Sequence, residues 1–413
     1  MVQKKNHKTA LLFVSVLGLA FILSQFLRAS NTVIAPELLE ELSLDPSDFG
    51  LLTGAFFLAF ALVQIPVGIL LDRYGPRRVI SGLMSFAIVG CFLFSQAQDI
   101  HDIVLARIFM GIGCSSILMG AYVIYARWFP SDRFSLFSGV HLGIGNTGLL
   151  FATAPLAISV GHFGWRDTMA GVGFYAFASA VLIYFLIRDV PAGHSVSNHS
   201  KENLLTSLKA QLSILKNIRI WPLIPIMAMG YSSVASISTL WGGAYLFEVY
   251  GLGIVERGEV LFLMATASIF GAIGFAPLDR YFNSRKRVVA VGGWVSLCFF
   301  LTLAFYPTLT LTMVTVIFIF IAIFSGYAMV LLTHIRSFFP DHLIGRGMTL
   351  ANMINMLGVG FIQLSTGFMM NYFYDPLAPN VAFQKVFIFI SIMLFIALLV
   401  YGKSEDSKPL SNL

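Results

Sequence analysis

Two arginines set in apolar surroundings are the residues of this sequence best suited to chemistry. Arg28 and Arg107 each lie within a run of hydrophobic side chains. A guanidinium is always charged, and its rigid fork of donors matches a carboxylate or phosphate in two-pronged fashion. Read as helices, the two stretches place Gln25, Arg28 and Thr32 on one face and Arg107, Gly111, Ser115, Leu118, Tyr122 and Tyr125 on another. If both faces border one cavity, that cavity is cationic and suits an anion. The plainer alternative is that Arg28 snorkels to an interface and Arg107 braces helices. Trp241 and Tyr245 are further candidates to line the cavity, against a reading as packing or interface aromatics.

The carboxylates offer no clear counterpart. Asp72, Asp132, Asp189, Glu202, Asp279, Asp341, Glu405 and Asp406 fall at one side of the apolar runs, and the others, Glu37 and Glu248 among them, at the opposite ends. Glu37, Glu248, His141 and His334 are the candidates to titrate, with packed, hydrogen-bonded histidines as the plainer reading. Cys91, Cys114 and Cys298 show no metal-ligand spacing and read as small packing residues. There is no glycine-rich loop ending in Lys-Ser/Thr and no His-Glu-x-x-His. No catalytic residue, metal or cofactor is expected, and the chain does not read as an enzyme.

Such arginines require elements that hold them in an apolar medium. The chain has 413 residues, 57% hydrophobic and 11% charged, against roughly 25% charged in a soluble domain. Mean hydropathy is +0.83. Lipid is the solvent in which such a surface is stable. A net charge of +6 could suggest nucleic acid, but the basic residues lie in short tracts between apolar runs, which excludes that partner. Runs long enough to span a bilayer as helices fall near 10–36, 49–71, 79–97, 103–126, 136–160, 167–187, 220–247, 259–278, 288–306, 309–333, 347–372 and 383–402. The first follows Lys4, Lys5 and Lys8 and reads as an uncleaved span.

All but five of the 26 basic residues, namely Arg28, Arg107, Arg166, Arg257 and Lys385, fall on one side of this arrangement. The positive-inside rule makes that side cytoplasmic, with both termini there, and points to the inner membrane. The sequence also repeats. Leu71-Asp72-Arg73-Tyr74 ends the second run and Leu278-Asp279-Arg280-Tyr281 the eighth; Arg127-Trp128-Phe129-Pro130 leaves the fourth and Arg336-Ser337-Phe338-Phe339-Pro340 the tenth. The expected organisation is an N-terminal six-helix bundle over 1–187, a cytoplasmic linker over 188–219 and a C-terminal six-helix bundle over 220–413. In the linker, Leu204, Leu205, Leu208, Leu212 and Leu215 recur at helical spacing beside Lys201, Lys209 and Lys216, which suits either a helix on an anionic membrane surface or a solvated connection.

The stretch from Gly68 through Asp72, Arg73, Tyr74, Gly75, Pro76 and Arg77 to Arg78 resembles the signature loop of the major facilitator superfamily, and Leu105 to Gly113 resembles its fourth-helix motif. Gly164-Trp165-Arg166 also recurs in that superfamily. The resemblance implies an all-α membrane fold of two pseudo-symmetric six-helix bundles that rock about a central cavity. It further implies gating roles for Gly68, Asp72, Arg73, Gly75, Arg77 and Arg78, and for Asp279 and Arg280 in the second copy, where Phe282 replaces the turn glycine. On physical grounds Gly68 permits close helix approach, Gly75 a tight turn, and Asp72 a contact with a helix N-terminus of the other half. Bare topology charge is the plainer reading of these arginines. The fifth run, Gly139 to Gly148, lacks the Gly-Pro pair of the drug-antiporter signature.

Arginines in helices one and four resemble the pattern of the superfamily's organic-anion branch. The expectation is therefore secondary transport of a small polar, anionic organic solute, with Gln25, Arg28, Thr32, Arg107, Tyr122 and Trp241 as substrate contacts. A proton or sodium ion is the candidate coupling partner, the bilayer the surroundings, and a monomer the working unit. The alternatives are transport of amphipathic drugs or siderophores, or a transport-like solute sensor.

Overall fold

The computed structural model describes residues 2–129, 131–190, 214–306, 308–339 and 344–408. Every regular element among them is helical. This is what a bilayer demands, since a backbone in hydrocarbon must satisfy its own hydrogen bonds. The linker residues Lys201, Leu204, Leu205, Leu208, Lys209 and Leu212 lie outside the described residues.

The first span is one helix, Val2–Glu41. The second is Pro46–Leu62 continued after a 45° bend by Gln64–Tyr74, and the third Pro76–Ser95. The fourth joins Ile100–Cys114 to Ile117–Trp128, and Ser131–Phe151 begins the fifth. Ala154–Leu186 is broken into two helices at Gly164, whose φ of +76° belongs to the left-handed region. Ser159 and Thr168 lie on either side of it with hydroxyls 3.0 Å apart. Nine residues of straight helix would separate them by about 13 Å, so the chain reverses at Gly164 and the fifth and sixth spans meet there.

The seventh span covers Ile218–Tyr250 and the eighth Ile254–Tyr281. Arg285–Phe305 is the ninth, Leu311–Arg336 the tenth, Ile344–Phe373 the eleventh and Pro379–Tyr401 the twelfth. Among the described residues, ten helices are individually long and apolar enough to cross a membrane, and the bent second span makes eleven. The reversal at Gly164 separates one more crossing, for twelve. Polar side chains start several spans: Asp99 accepts from the Asp102 amide at 3.0 Å and Thr310 from the Met313 amide at 3.3 Å.

The Gly-Trp-Arg motif is a corner clasp. The Trp165 indole donates to Glu41 at 2.5 Å, and Arg166 pairs with Glu41 while donating to the Ala97 carbonyl at 2.7 Å. Three connections at one end of the bundle are tied together this way.

The halves dock chiefly through spans two and eleven. A β-carbon on Gly50 would stand 2.6 Å from the Gly367 Cα, and one on Gly360 would meet the Leu58 side chain at 2.7 Å. Small residues let these backbones approach, as membrane helices need when hydrophobic burial gives no preference between lipid and protein.

Candidate functional site

Arg28 lies in the middle of the first span, 7% exposed, with its guanidinium 4.6 Å from the centroid of the Phe60 ring. It forms no hydrogen bond or ion pair among the described residues, and its Nε is buried without a partner. Gln25 Oε1 and Asn31 Oδ1, each one turn from Arg28 on the same helix, are also buried and unpartnered, while the Ser24 hydroxyl meets the Cys114 thiol of span four. Together they form a polar stripe with spare hydrogen-bonding capacity. Gln25 directs its amide N–H to Asn146 of span five at 2.9 Å, and Asn31 its own to the Thr53 hydroxyl at 3.4 Å.

The stripe is bounded at both ends. Toward Glu37, Thr32 is fully buried and its hydroxyl donates to the Leu240 carbonyl at 3.0 Å. That carbonyl belongs to Ile237–Trp241, a π-turn in span seven. Trp241 lies beside this turn, donates to the Thr366 hydroxyl at 2.8 Å and meets Phe49 and Phe383 edge-on. At the other end, Phe21 stacks on His141 at 4.9 Å. His141 Nδ1 is 3.1 Å from the Tyr125 hydroxyl, and the half-buried Tyr122 ring lies 6.5 Å from the imidazole. From Phe21 to Thr32 the helical rise is about 16 Å, with Arg28 between.

Two sequence expectations change here. Thr32 shares the face of Arg28, but its hydroxyl holds the other half of the molecule and lies at the lid of the stripe. Arg107 is fully buried inside its own bundle: it donates to the Leu27 carbonyl at 2.7 Å and the Leu52 carbonyl at 3.4 Å, and stacks on Phe56 at 4.6 Å. The reason is steric. Gly111, one turn along, is pressed so closely to span two that a β-carbon would stand 2.3 Å from the Phe56 carbonyl oxygen. This face of span four meets spans one and two, so Arg107 positions the turn that carries Arg28.

The signature loop makes several contacts within its own half. Gly75 makes its turn at φ +81°. The Arg77 amide donates to Asp189 at 2.7 Å, and the Arg77 guanidinium lies 4.7 Å from the Tyr184 ring, both within the same half. Arg73 lies 5.3 Å from its neighbour Tyr74, and Arg78 is exposed. Gly68 has no atom within 4 Å of where a β-carbon would sit, so the close helix contact expected of it is not made. In the second copy Arg280 is exposed and Asp279 pairs with Arg285 at 3.2 Å. Asn283, at φ +45°, takes the left-handed position one residue after Phe282.

Sequence reasoning missed a matching pair of clasps. Asp189, after span six, accepts the Arg77 amide; Asp406, after span twelve, accepts the Lys286 amide at 2.9 Å and the Ser284 hydroxyl at 2.5 Å. Their signal was an acidic residue just beyond the last span of each half. His334 is fully engaged, by the Tyr401 hydroxyl at 2.7 Å and the Glu405 carbonyl at 3.0 Å.

A groove of about 480 Å³ opens elsewhere, between Phe26, Pro155, Phe163 and Tyr175. Phe26 is on the side of the first helix opposite Arg28, so this groove is separate from the stripe.

Twelve spans, two docked halves and a buried cation on the first helix define a polytopic membrane protein of transporter architecture. The family model for the Major Facilitator Superfamily matches residues 17–362, and the chain belongs to that superfamily. It is 25% identical over 309 residues to the nitrate/nitrite transporter NrtP of Picosynechococcus sp., a match covering 65% of this chain and 56% of that protein. It is 24% identical over 318 residues to the probable sulfoacetate transporter SauU of Cupriavidus necator, covering 73% of this chain and 74% of that one. Among solved structures, a bacterial homolog of the human lysosomal transporter Spinster superposes with a TM-score of 0.74 at 18% identity, over 94% of this chain and 95% of its own.

Proposed function

We propose that this protein carries a small organic anion across the inner membrane by alternating access, and that Arg28 holds the anionic group. The observation that carries this reading is the state of Arg28. Arg107 and Arg257, the other deeply buried arginines among the described residues, donate to carbonyl or carboxylate oxygens, whereas Arg28 has only the Phe60 ring. A charge in a span is costly without a partner, and a bound carboxylate would supply one through two parallel hydrogen bonds. The orphaned oxygens of Gln25 and Asn31 add acceptors for solute hydroxyls or amides. Nitrate, nitrite and sulfoacetate, named for the two relatives, are anions. Trp241 and Thr32 close the stripe toward one face, Tyr122 borders it toward the other, and Arg107 fixes its backbone.

The halves 1–187 and 220–413 rock about this stripe. Asp72 and the basic loop residues Arg73 to Arg78 bias that motion from the cytoplasmic face, with Asp279 and Arg280 in the corresponding place. Both termini are cytoplasmic, the unit is a monomer, and a proton or sodium ion drives accumulation. Counterflow in proteoliposomes tests the substrate class. Pools of carboxylates and sulfonates should exchange with labelled internal solute, and pools of neutral sugars and amines should not. Exchange of neutral pools alone would overturn the reading.

A further inference from the structure

Arg257 stands in the first turn of the eighth span and is 1% exposed. One terminal nitrogen donates to Glu37 Oε1 at 2.6 Å and to the Val33 carbonyl at 3.2 Å; the other donates to the Leu252 carbonyl at 3.3 Å. The Phe247 ring lies 5.1 Å from the guanidinium carbon. Glu37 and Val33 belong to the first span, and Leu252 and Phe247 to the same half as Arg257. Two of its three acceptors are thus on loan from the opposite half. The contact is tight: a β-carbon on Gly258 would stand 2.8 Å from the Ala157 β-carbon of span five.

Any motion that parts the halves at this end removes Glu37 and Val33 together and leaves Arg257 with Leu252 alone. A buried guanidinium stripped of its counter-charge is strongly disfavoured. The partial positive charge of the helix N-terminus on which it stands adds to its demand for an anion. We infer that Arg257 is a carboxylate-binding site of the C-terminal half, filled by Glu37 when this end is closed and able to take an external carboxylate in the place of Glu37. Arg28 lies nine residues deeper than Glu37 on the same helix, about 14 Å by helical rise, so a solute entering here meets the two cations in series. That role in loading rests on the anion reading of Arg28; the site at Arg257 does not.

The test is chemical rescue in the full-length chain. Spin labels at Gln98 and Leu377, both exposed at this end on opposite halves, report its opening in a background lacking the three cysteines. Glu37→Ala should raise the ratio of long to short distances by roughly tenfold or more. Sodium acetate should return that ratio to near the parent value in Glu37→Ala, and should fail to do so in Glu37→Ala/Arg257→Gln. Sodium chloride at equal ionic strength should do neither. Glu37→Gln, which keeps the volume, should open the end without rescue and serves if the alanine variant is unstable. Acetate acting no better than chloride, or an unchanged distance distribution in both Glu37 variants, overturns the inference. Failure of the Arg28 reading would leave acetate rescue intact, so the two are distinguishable.

Discussion

Arg107 donates to the carbonyl oxygen of Leu27 at 2.7 Å, one residue before the unpaired Arg28. On the proposed reading the two cations have separate tasks on one strut: Arg107 fixes the backbone, and Arg28 is presented to solute. Arg107→Gln should lower thermal stability, by about 1–3 kcal/mol for the hydrogen bonds lost to buried carbonyls, and should weaken solute affinity. Arg107→Lys keeps a charge and one donor and should recover part of both. A variant that loses maximal rate at unchanged affinity would contradict a positioning role.

Span seven crosses span one so closely that a β-carbon on Gly243 would stand 1.7 Å from the Thr32 carbonyl oxygen. Gly243→Ala should therefore hinder closure of the Glu37 end. Counterflow should slow by about tenfold or more, with the protein still folded by circular dichroism. An alanine variant exchanging at the parent rate would show that this approach is not needed in the cycle.

The length and number of the spans were legible because a run of about 20 apolar residues has few other uses. The reversal at Gly164 was legible as well, since a break between runs coincides with Gly-Trp-Arg. What escaped depends on how the halves dock. Glu37 and Arg257 are 220 positions apart, and each reads singly as a loop-end charge. Helical periodicity places Thr32 with Arg28, but the height at which span seven crosses, and hence the engagement of the Thr32 hydroxyl, is not written in periodicity. Arg107 was misplaced for a related reason. Residues on one face share a direction, and only the position of span two shows that this direction is filled.

The clasp at Asp406 gives a pH prediction. Burial opposes its charge, but the Ser284 hydroxyl, the Lys286 amide and the nearby His334 and Lys286 outweigh it and hold the carboxyl below its ordinary value. A depressed acid adds stability above its unfolded value, near 3.9, and that stability is lost as pH falls through the folded value. Asp406→Asn should thus melt earlier than the parent at pH 7, and the difference should shrink steadily below about pH 4. A difference independent of pH would show that the charge is not what the clasp uses.

The membrane orientation is open to direct labelling. Asp45→Cys and Asp375→Cys should react with an impermeant maleimide in intact cells, and Arg78→Cys only after permeabilisation. Labelling of Arg78→Cys in intact cells would invert the proposed topology, together with the assignment of the signature loop to the cytoplasmic face.

The central claim, that Arg28 holds the anionic group of the solute, is tested most directly by binding and uptake in Arg28 variants of purified, reconstituted protein. Truncating a desolvated arginine–carboxylate contact costs on the order of 2–5 kcal/mol. Arg28→Ala should nearly abolish uptake of the anion found by counterflow, while leaving expression and melting temperature close to those of the parent. Arg28→Lys retains charge without the fork and should be partly active. The methyl ester of the same solute should compete poorly against the parent protein. Normal uptake by Arg28→Ala, or an ester that competes as well as the free anion, would contradict the account.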